Sequence, residues 1–172
     1  MKNSVAVFPG TFDPVHNGHL RVLQHAADLF AKVIWAVGTN SAKIPMFTIE
    51  QRLEMLRLVN KFENVEIASF SGLLADFAIE RRATHIVRSL RVAMDFDYEY
   101  QLMLANQHLA PNVQTIYFPA SQDDIHLNSS TIRELLRLRR VLAAYLPAEI
   151  KPYVTAAIAQ KEFVKKGSET NF

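Results

Sequence analysis

A doubly wound α/β domain, with a parallel five-stranded sheet and helices on both faces, is predicted by three observations. Five short runs rich in β-branched and aromatic residues recur along the 172 residues. Amphipathic stretches separate them. No internal repeat or low-complexity linker breaks the alternation. Strands that alternate with helices pair in parallel through right-handed crossovers, and near-continuous apolar strands are those covered on both faces.

The strand candidates are Val5–Phe8, Val33–Val37, Val65–Ala68, His85–Val87 and Val113–Phe118. Between the first two, His19–Phe30 places Leu20, Leu23, Ala27 and Phe30 on one helical face. Thr48–Lys61 opens with Thr48-Ile49-Glu50-Gln51, the pattern of a reciprocal N-terminal cap. Gly72–Arg82 carries Leu73, Leu74, Phe77 and Ala78, and a longer helix is expected from about Met94 to Leu109, ended by Pro111 and Asn112. Ser129–Arg139 and Pro147–Lys161 are the last two helix candidates. The organisation expected is one domain over residues 1–164 and a polar, fraying tail over 165–172.

Composition narrows the function classes. The absence of cysteine excludes a disulfide scaffold, a thiolate nucleophile and a Cys-ligated zinc site. The net charge of +2 is too small to argue for nucleic acid or a membrane surface as partner. No apolar run approaches the roughly 20 residues of a membrane span, and Val5–Phe8 is too short for a secretory leader. The location expected is the cytoplasm.

Ligands on sheets of this kind bind beyond the carboxyl ends of the strands, so the loops that follow strands carry the functional reading. After the first strand come Pro9-Gly10-Thr11-Phe12-Asp13-Pro14-Val15-His16-Asn17-Gly18-His19. Pro9-Gly10 is turn chemistry, and Gly10 lets backbone approach a ligand. His16 and His19, three apart at a helix start, can share one face. The free amides and positive dipole end of that helix suit a phosphate. The loop is neither a GxGxxG fingerprint nor a Walker A loop.

Near the other end, Asn128, Ser129 and Ser130 open a helix with Arg133 one turn in, a second candidate phosphate site. An ordinary capped helix is the competing explanation. In the middle, Arg88 and Arg91 sit three apart after a strand, in the run Arg88-Ser89-Leu90-Arg91-Val92-Ala93-Met94-Asp95-Phe96-Asp97-Tyr98-Glu99-Tyr100-Gln101. Guanidinium forks there suit phosphate oxygens; a solvated charged loop is the alternative. Asp95 and Asp97 read as solvated acids at a helix start rather than metal ligands.

Thr11-Phe12-Asp13-Pro14 followed by His16-Asn17-Gly18-His19 resembles the HxGH nucleotidyltransferase superfamily, with its Rossmann-like fold. Leu127–Arg133 matches that superfamily's I-S-S-[ST]-x-x-R motif, with Leu127 for Ile and Asn128 for the first Ser. The Arg88–Gln101 run looks like the signature of phosphopantetheine adenylyltransferases, with Ser89 where Gly is usual. Lys43, Thr48–Arg52 and Asn106–Pro111 fit as well, and the resemblance runs from about Ala6 to Pro147.

The resemblance implies adenylyl transfer from ATP to 4′-phosphopantetheine, giving dephospho-coenzyme A and pyrophosphate. It places Thr11, His19 and Lys43 at the chemistry. The acceptor falls to Thr11, Lys43, Leu74 and Arg88, Leu74 standing where Met is common. ATP falls to Thr11, Phe12, His16, His19, Ser89, Leu90, Arg91, Glu99 and the segment Asp124, Ile125, His126, Leu127, Asn128, Ser129 and Ser130. It also implies Mg²⁺ carried with ATP and a homohexamer of two stacked trimers. A nicotinate- or nicotinamide-mononucleotide adenylyltransferase shares the first loop, though the Arg88–Gln101 run argues against it. A nucleotide-binding sensor without activity is the alternative from another class.

Overall fold

The computed structural model describes residues 4–39, 45–121, 129–138, 144–156 and 159. Lys43, the segment 124–128 and the tail 165–172 lie outside the described residues. Five parallel strands form one sheet: β1 (Val5–Gly10), β2 (Lys32–Thr39), β3 (Val65–Ser71), β4 (His85–Leu90) and β5 (Gln114–Pro119), in the order β3-β2-β1-β4-β5. The helices are α1 (Asn17–Leu29), α2 (Ile49–Val59), α3 (Leu74–Glu80), α4 (Ala93–Leu109) and α5 (Ser129–Arg137). The predicted fold class is the one observed.

Side chains alternate across each strand, and the two faces bury different sets. Ala6, Phe8, Val33, Trp35 and Val37 pack with Val22, Leu23 and Ala26 of α1, Met55, Leu56 and Val59 of α2, and Ile132 and Leu136 of α5. On the other face Val7, Ile34, Ala36 and Ile86 pack with Ala75, Phe77 and Ala78 of α3, and with Ala110 and Val113 beyond α4. Trp35 is fully buried, parallel to Phe8 at 6.4 Å and edge-on to Phe12 at 5.5 Å. Its Nε1 has no hydrogen-bond partner among the described residues. The outer side of α4 stays open: Phe96 and Tyr100 stack on each other at 5.6 Å, and Phe96, Tyr98, Leu104 and Leu109 are exposed.

Several boundaries differ from expectation for local reasons. Pro9 and Gly10 belong to β1 rather than to a turn, opposite Ala36 and Val37 of β2. The β1–β4 ladder ends at Val7 and Ile86, so Pro9, which has no N–H to donate, lies past that ladder. Chain reversal falls instead at Phe12, whose φ is +47°. Helix α1 starts at Asn17 with His16 as its cap residue, earlier than predicted. Helix α3 is shorter than predicted because Gly72 adopts φ +85° just ahead of it. The reciprocal cap of α2 is present: Thr48 Oγ1 accepts from Gln51 N at 3.3 Å, and Gln51 Oε1 accepts from Thr48 N at 2.9 Å. The last predicted helix begins as a 3₁₀ turn, Ala148–Ile150, and continues as helix over 151–156.

Candidate active site

The strand order reverses between β1 and β4, and the crevice there opens into a cavity of about 560 Å³. Its wall carries Thr11, Phe12, His16, Gly18 and His19 from the first loop and α1, Arg88, Ser89 and Arg91 from β4 and its exit, and Ser129, Ser130 and Arg133 from α5. Segments more than a hundred residues apart thus meet at one place. The start of α1 and the start of α5 both face it, and each helix start offers amide donors and a positive dipole end. The Gly18 N–H makes no hydrogen bond among the described residues, whereas Asn17 N donates to Tyr145 O at 3.0 Å and His19 N to His16 O at 2.9 Å.

The histidines form a stacked pair, ring centroids 3.6 Å apart. The His16 N–H donates to His19 Nδ1 at 3.2 Å. A ring nitrogen that accepts carries no proton, so in neutral His19 the proton sits on Nε2, which is then a donor. Burial pushes His16 down to about 4, with the charge of Arg91 acting in the same direction. Burial, then His16, then Arg91 hold His19 well below its ordinary value. Both imidazoles are therefore neutral near pH 7, and His16 Nδ1 is buried without a partner among the described residues. The His19 ring stands edge-on to Phe12 at 4.9 Å. Phe12 is almost wholly buried and closes the floor of the cavity.

Four guanidinium groups, those of Arg52, Arg88, Arg91 and Arg133, line the same space. Arg91 holds Asp95 through Nε at 3.1 Å and Nη2 at 3.2 Å. Arg88 is paired with Glu99. Burial alone would depress Arg88, but the hydrogen bonds and charge of Glu99 outweigh it and hold Arg88 above the usual arginine value. The one acid on the described wall is Asp13, 1% exposed. Its carboxylate accepts from Met46 N and Phe47 N, each at 2.8 Å. No group of three or more His, Asp or Glu side chains that could hold a metal ion exists among the described residues. A positive, amide-rich crevice with neutral imidazole donors is suited to a polyphosphate.

Thr11, Phe12, His16, His19, Arg88, Ser89, Arg91, Ser129 and Ser130, all singled out from sequence, share this wall. Leu74, Leu90 and Glu99 do not. Leu74 is half-buried at the start of α3, against the other sheet face. Leu90 ends β4, its carbonyl accepting from Ala120 N at 2.7 Å. Lys43 and Asp124 to Asn128 are outside the described residues. Sequence reasoning missed Arg52 and Asp13. Arg52, 4% exposed, donates from Nη1 to Thr11 O at 2.9 Å and so holds the first loop from α2. Its signal was present: Arg52, Met55, Leu56 and Val59 share one helical face, and an arginine on an apolar stripe needs a buried partner.

Residues 7–135 match the cytidylyltransferase-like family model. The chain is 41% identical over 152 residues to the phosphopantetheine adenylyltransferase of Helicobacter pylori strain J99, covering 88% of this chain and 97% of that protein. The chain belongs to the cytidylyltransferase-like family, among its phosphopantetheine adenylyltransferases. Another phosphopantetheine adenylyltransferase, from Heliobacterium modesticaldum, is 42% identical over 159 residues, 92% of each chain. Among solved structures, a nicotinate-nucleotide adenylyltransferase described as putative, from Vibrio parahaemolyticus, superposes with a TM-score of 0.66 at 16% identity, covering 89% of this chain and 99% of that one. A bifunctional NMN adenylyltransferase/ADP ribose pyrophosphatase from Francisella tularensis, crystallised with AMP and a manganese ion, gives 0.66 at 17% identity over 99% of this chain and 57% of its own. At such identities these structures speak for the fold. For a phosphopantetheine adenylyltransferase, the crevice between β1 and β4 is where that fold places its ligand.

Proposed function

We propose that the protein transfers the adenylyl group of ATP, carried with Mg²⁺, to 4′-phosphopantetheine, releasing pyrophosphate and forming dephospho-coenzyme A. The observation that carries this reading is the stacked His16–His19 pair at the start of α1, facing the start of α5 across a cavity ringed by arginines. The acceptor is a phosphate monoester with a second pKa of about 6, so at neutral pH it is already nucleophilic and needs no general base. One acceptor oxygen bonds to the α-phosphorus as the bond from that phosphorus to the α,β-bridging oxygen breaks, and pyrophosphate leaves. Catalysis then reduces to alignment and charge stabilisation.

In this reading His19 donates from Nε2 to an α-phosphate oxygen, and Thr11 aligns the incoming phosphate. Arg91, Ser129, Ser130 and the Gly18 amide hold nucleotide phosphates, with His16, Phe12 and Ser89 on the same wall; Leu90 and residues 124–128 are assigned to ATP by resemblance alone. Lys43 and Arg88 hold the acceptor phosphate, with Leu74 along the pantetheine arm. Mg²⁺ belongs on the phosphate oxygens and water rather than in a protein cage. The working unit is one domain over residues 1–164, in the cytoplasm, assembled as a hexamer. The exposed apolar side of α4 supports assembly with further copies. No helix among the described residues is long and apolar enough to cross a membrane.

The test is pyrophosphate release from Mg·ATP with 4′-phosphopantetheine, set against nicotinamide mononucleotide. Turnover only with 4′-phosphopantetheine is expected. Release only with the mononucleotide, or ATP binding without release under either acceptor, would overturn the assignment.

A further inference from the structure

The first loop is gripped from outside on both flanks of its turn. Phe12 sits at φ +47°, a left-handed backbone that a bulky residue keeps only where its surroundings impose it. On one flank the Asp13 carboxylate accepts from Met46 N and Phe47 N. On the other, Arg52 Nη1 donates to the carbonyl oxygen of Thr11 at 2.9 Å. Arg52 belongs to α2, whose Met55, Leu56 and Val59 are sealed in the core. Its Nε reaches the carbonyl oxygen of Thr48, the cap residue of that helix, at 3.4 Å. The guanidinium thus ties the backbone of Thr11 to the cap of a core helix.

The residue so tied is turned toward the cavity. Thr11 is exposed on its wall, and the Thr11 hydroxyl makes no hydrogen bond among the described residues. Arg52 is almost wholly buried, and burial of a cation is costly unless it is paired. Desolvation pulls Arg52 below the usual arginine value, with the charges of Asp13 and Glu50 opposing. A planar fork with two nitrogens on two carbonyls fixes direction as well as distance. We propose that Arg52 is a positioning residue for the acceptor: by holding the Thr11 carbonyl it sets where the Thr11 hydroxyl stands. This rests on the reading that Thr11 aligns the incoming phosphate.

Two effects of losing Arg52 have to be separated. Its charge adds to the positive crevice, so a loss of charge would weaken the hold on phosphates generally. Its geometry acts on Thr11, so a loss of geometry would lower the rate of transfer. Arg52→Lys keeps the charge facing Asp13 and the apolar stem, and removes the fork, since one ammonium nitrogen cannot lie in line with both carbonyls. A displacement of about 1 Å at a reacting centre can lower the rate about 10²-fold, so even partial release of Thr11 is measurable.

Pyrophosphate-release kinetics and thermal melts on Arg52→Lys, Arg52→Gln, Thr11→Ala and the Arg52→Lys/Thr11→Ala double variant read this directly. Arg52→Lys should lower kcat roughly three- to tenfold, and Arg52→Gln further. In Arg52→Lys the ATP KM should move less than kcat. In the Thr11→Ala background Arg52→Lys should change kcat by less than about twofold, because the hydroxyl it places is gone. A parental kcat in Arg52→Lys overturns the positioning role, whether Tm falls or Arg52→Gln alone is impaired. So does a change confined to the ATP KM, or an undiminished loss in the Thr11→Ala background. All of these leave the proposed reaction standing. A parental protein inactive with 4′-phosphopantetheine overturns the reaction, and this role with it.

Discussion

A Cβ added at position 10 would lie 2.6 Å from Phe12 Cζ and 2.9 and 3.0 Å from its Cε atoms. Ordinary carbon contacts begin near 3.4 Å, so the Phe12 ring would have to retreat by roughly 0.8 Å. It has nowhere soft to go. Phe8 stands edge-on at 5.4 Å, Trp35 at 5.5 Å and His19 at 4.9 Å, and the Phe12 backbone is already held at φ +47°. Overpacking of a closed core destabilises by about 1–3 kcal/mol. For a chain of this size each kcal/mol is about 2–4 °C. Gly10→Ala should therefore lower Tm by roughly 2–12 °C. His19 is one of the rings that bound that retreat, and a displacement approaching 1 Å at a reacting centre can lower the rate about 10²-fold. A fall in kcat of at least tenfold is expected, about half of that on a logarithmic scale. Gly38→Ala is the matched control. Its Cβ meets Phe70 at 3.1 Å, a half-buried ring stacked on Phe77 at 4.8 Å and off the cavity wall, so Tm should fall while kcat holds. Thermal denaturation and pyrophosphate release measure both. If Gly10→Ala kept Tm within a degree and kcat within twofold, the Phe12 ring could not be what supports His19.

Three further outcomes are expected. His19→Ala should lower kcat by at least about 10² with a smaller effect on ATP binding, since a donor aimed at developing charge acts mainly in the transition state; stopped-flow turnover at saturating substrates decides it, and a near-parental kcat would remove His19 from the chemistry. The buried His16 titrates at about 4 when folded, against about 6.5 when unfolded. Between those values the unfolded chain binds the extra proton, so stability is intact above about pH 6.5 and is lost as pH falls toward 4, His16 contributing on the order of 3 kcal/mol and the buried His19 adding to the loss; urea melts at pH 7.5 and 5 should show the loss, and His16→Gln should make it smaller, a parental slope in that variant counting against the assignment. Asp13→Asn leaves one oxygen for two backbone donors and turns an amide group toward the other, which should lower stability by about 1.5–3 kcal/mol; equilibrium unfolding showing no change would mean that the hold of Asp13 on Met46 and Phe47 contributes nothing.

The pattern of strands and helices was legible because each element carries its own signal in a few adjacent residues: β-branched runs such as Val33–Val37, and Thr48 with Gln51 closing a cap. The first loop was legible as a candidate site because His16, Gly18 and His19 lie within a single turn. Less local facts escaped. Asp13 is explained by Met46 and Phe47, thirty-three and thirty-four positions on, and Arg133 by the carbonyl of Asp13, 120 positions back. No window of sequence joins them. Pro9-Gly10 misled because the same dipeptide serves a turn or the end of a central strand that has outrun one neighbour; only the register of β1 against β2 and β4 tells these apart. Glu99 matched a motif position, but which molecule it faces depends on how α4 lies over β4 and β5.

The chain holds a single tryptophan, and folding seats it two rings from His19: Trp35 against Phe12, Phe12 against His19. An indole sealed from water emits at the short-wavelength end of its range, and any shift of the loop that carries Phe12 changes its surroundings. The molecule thus contains its own optical gauge. Without a label, emission from one buried chromophore can follow how nucleotide, acceptor and acid each rearrange the first turn of α1.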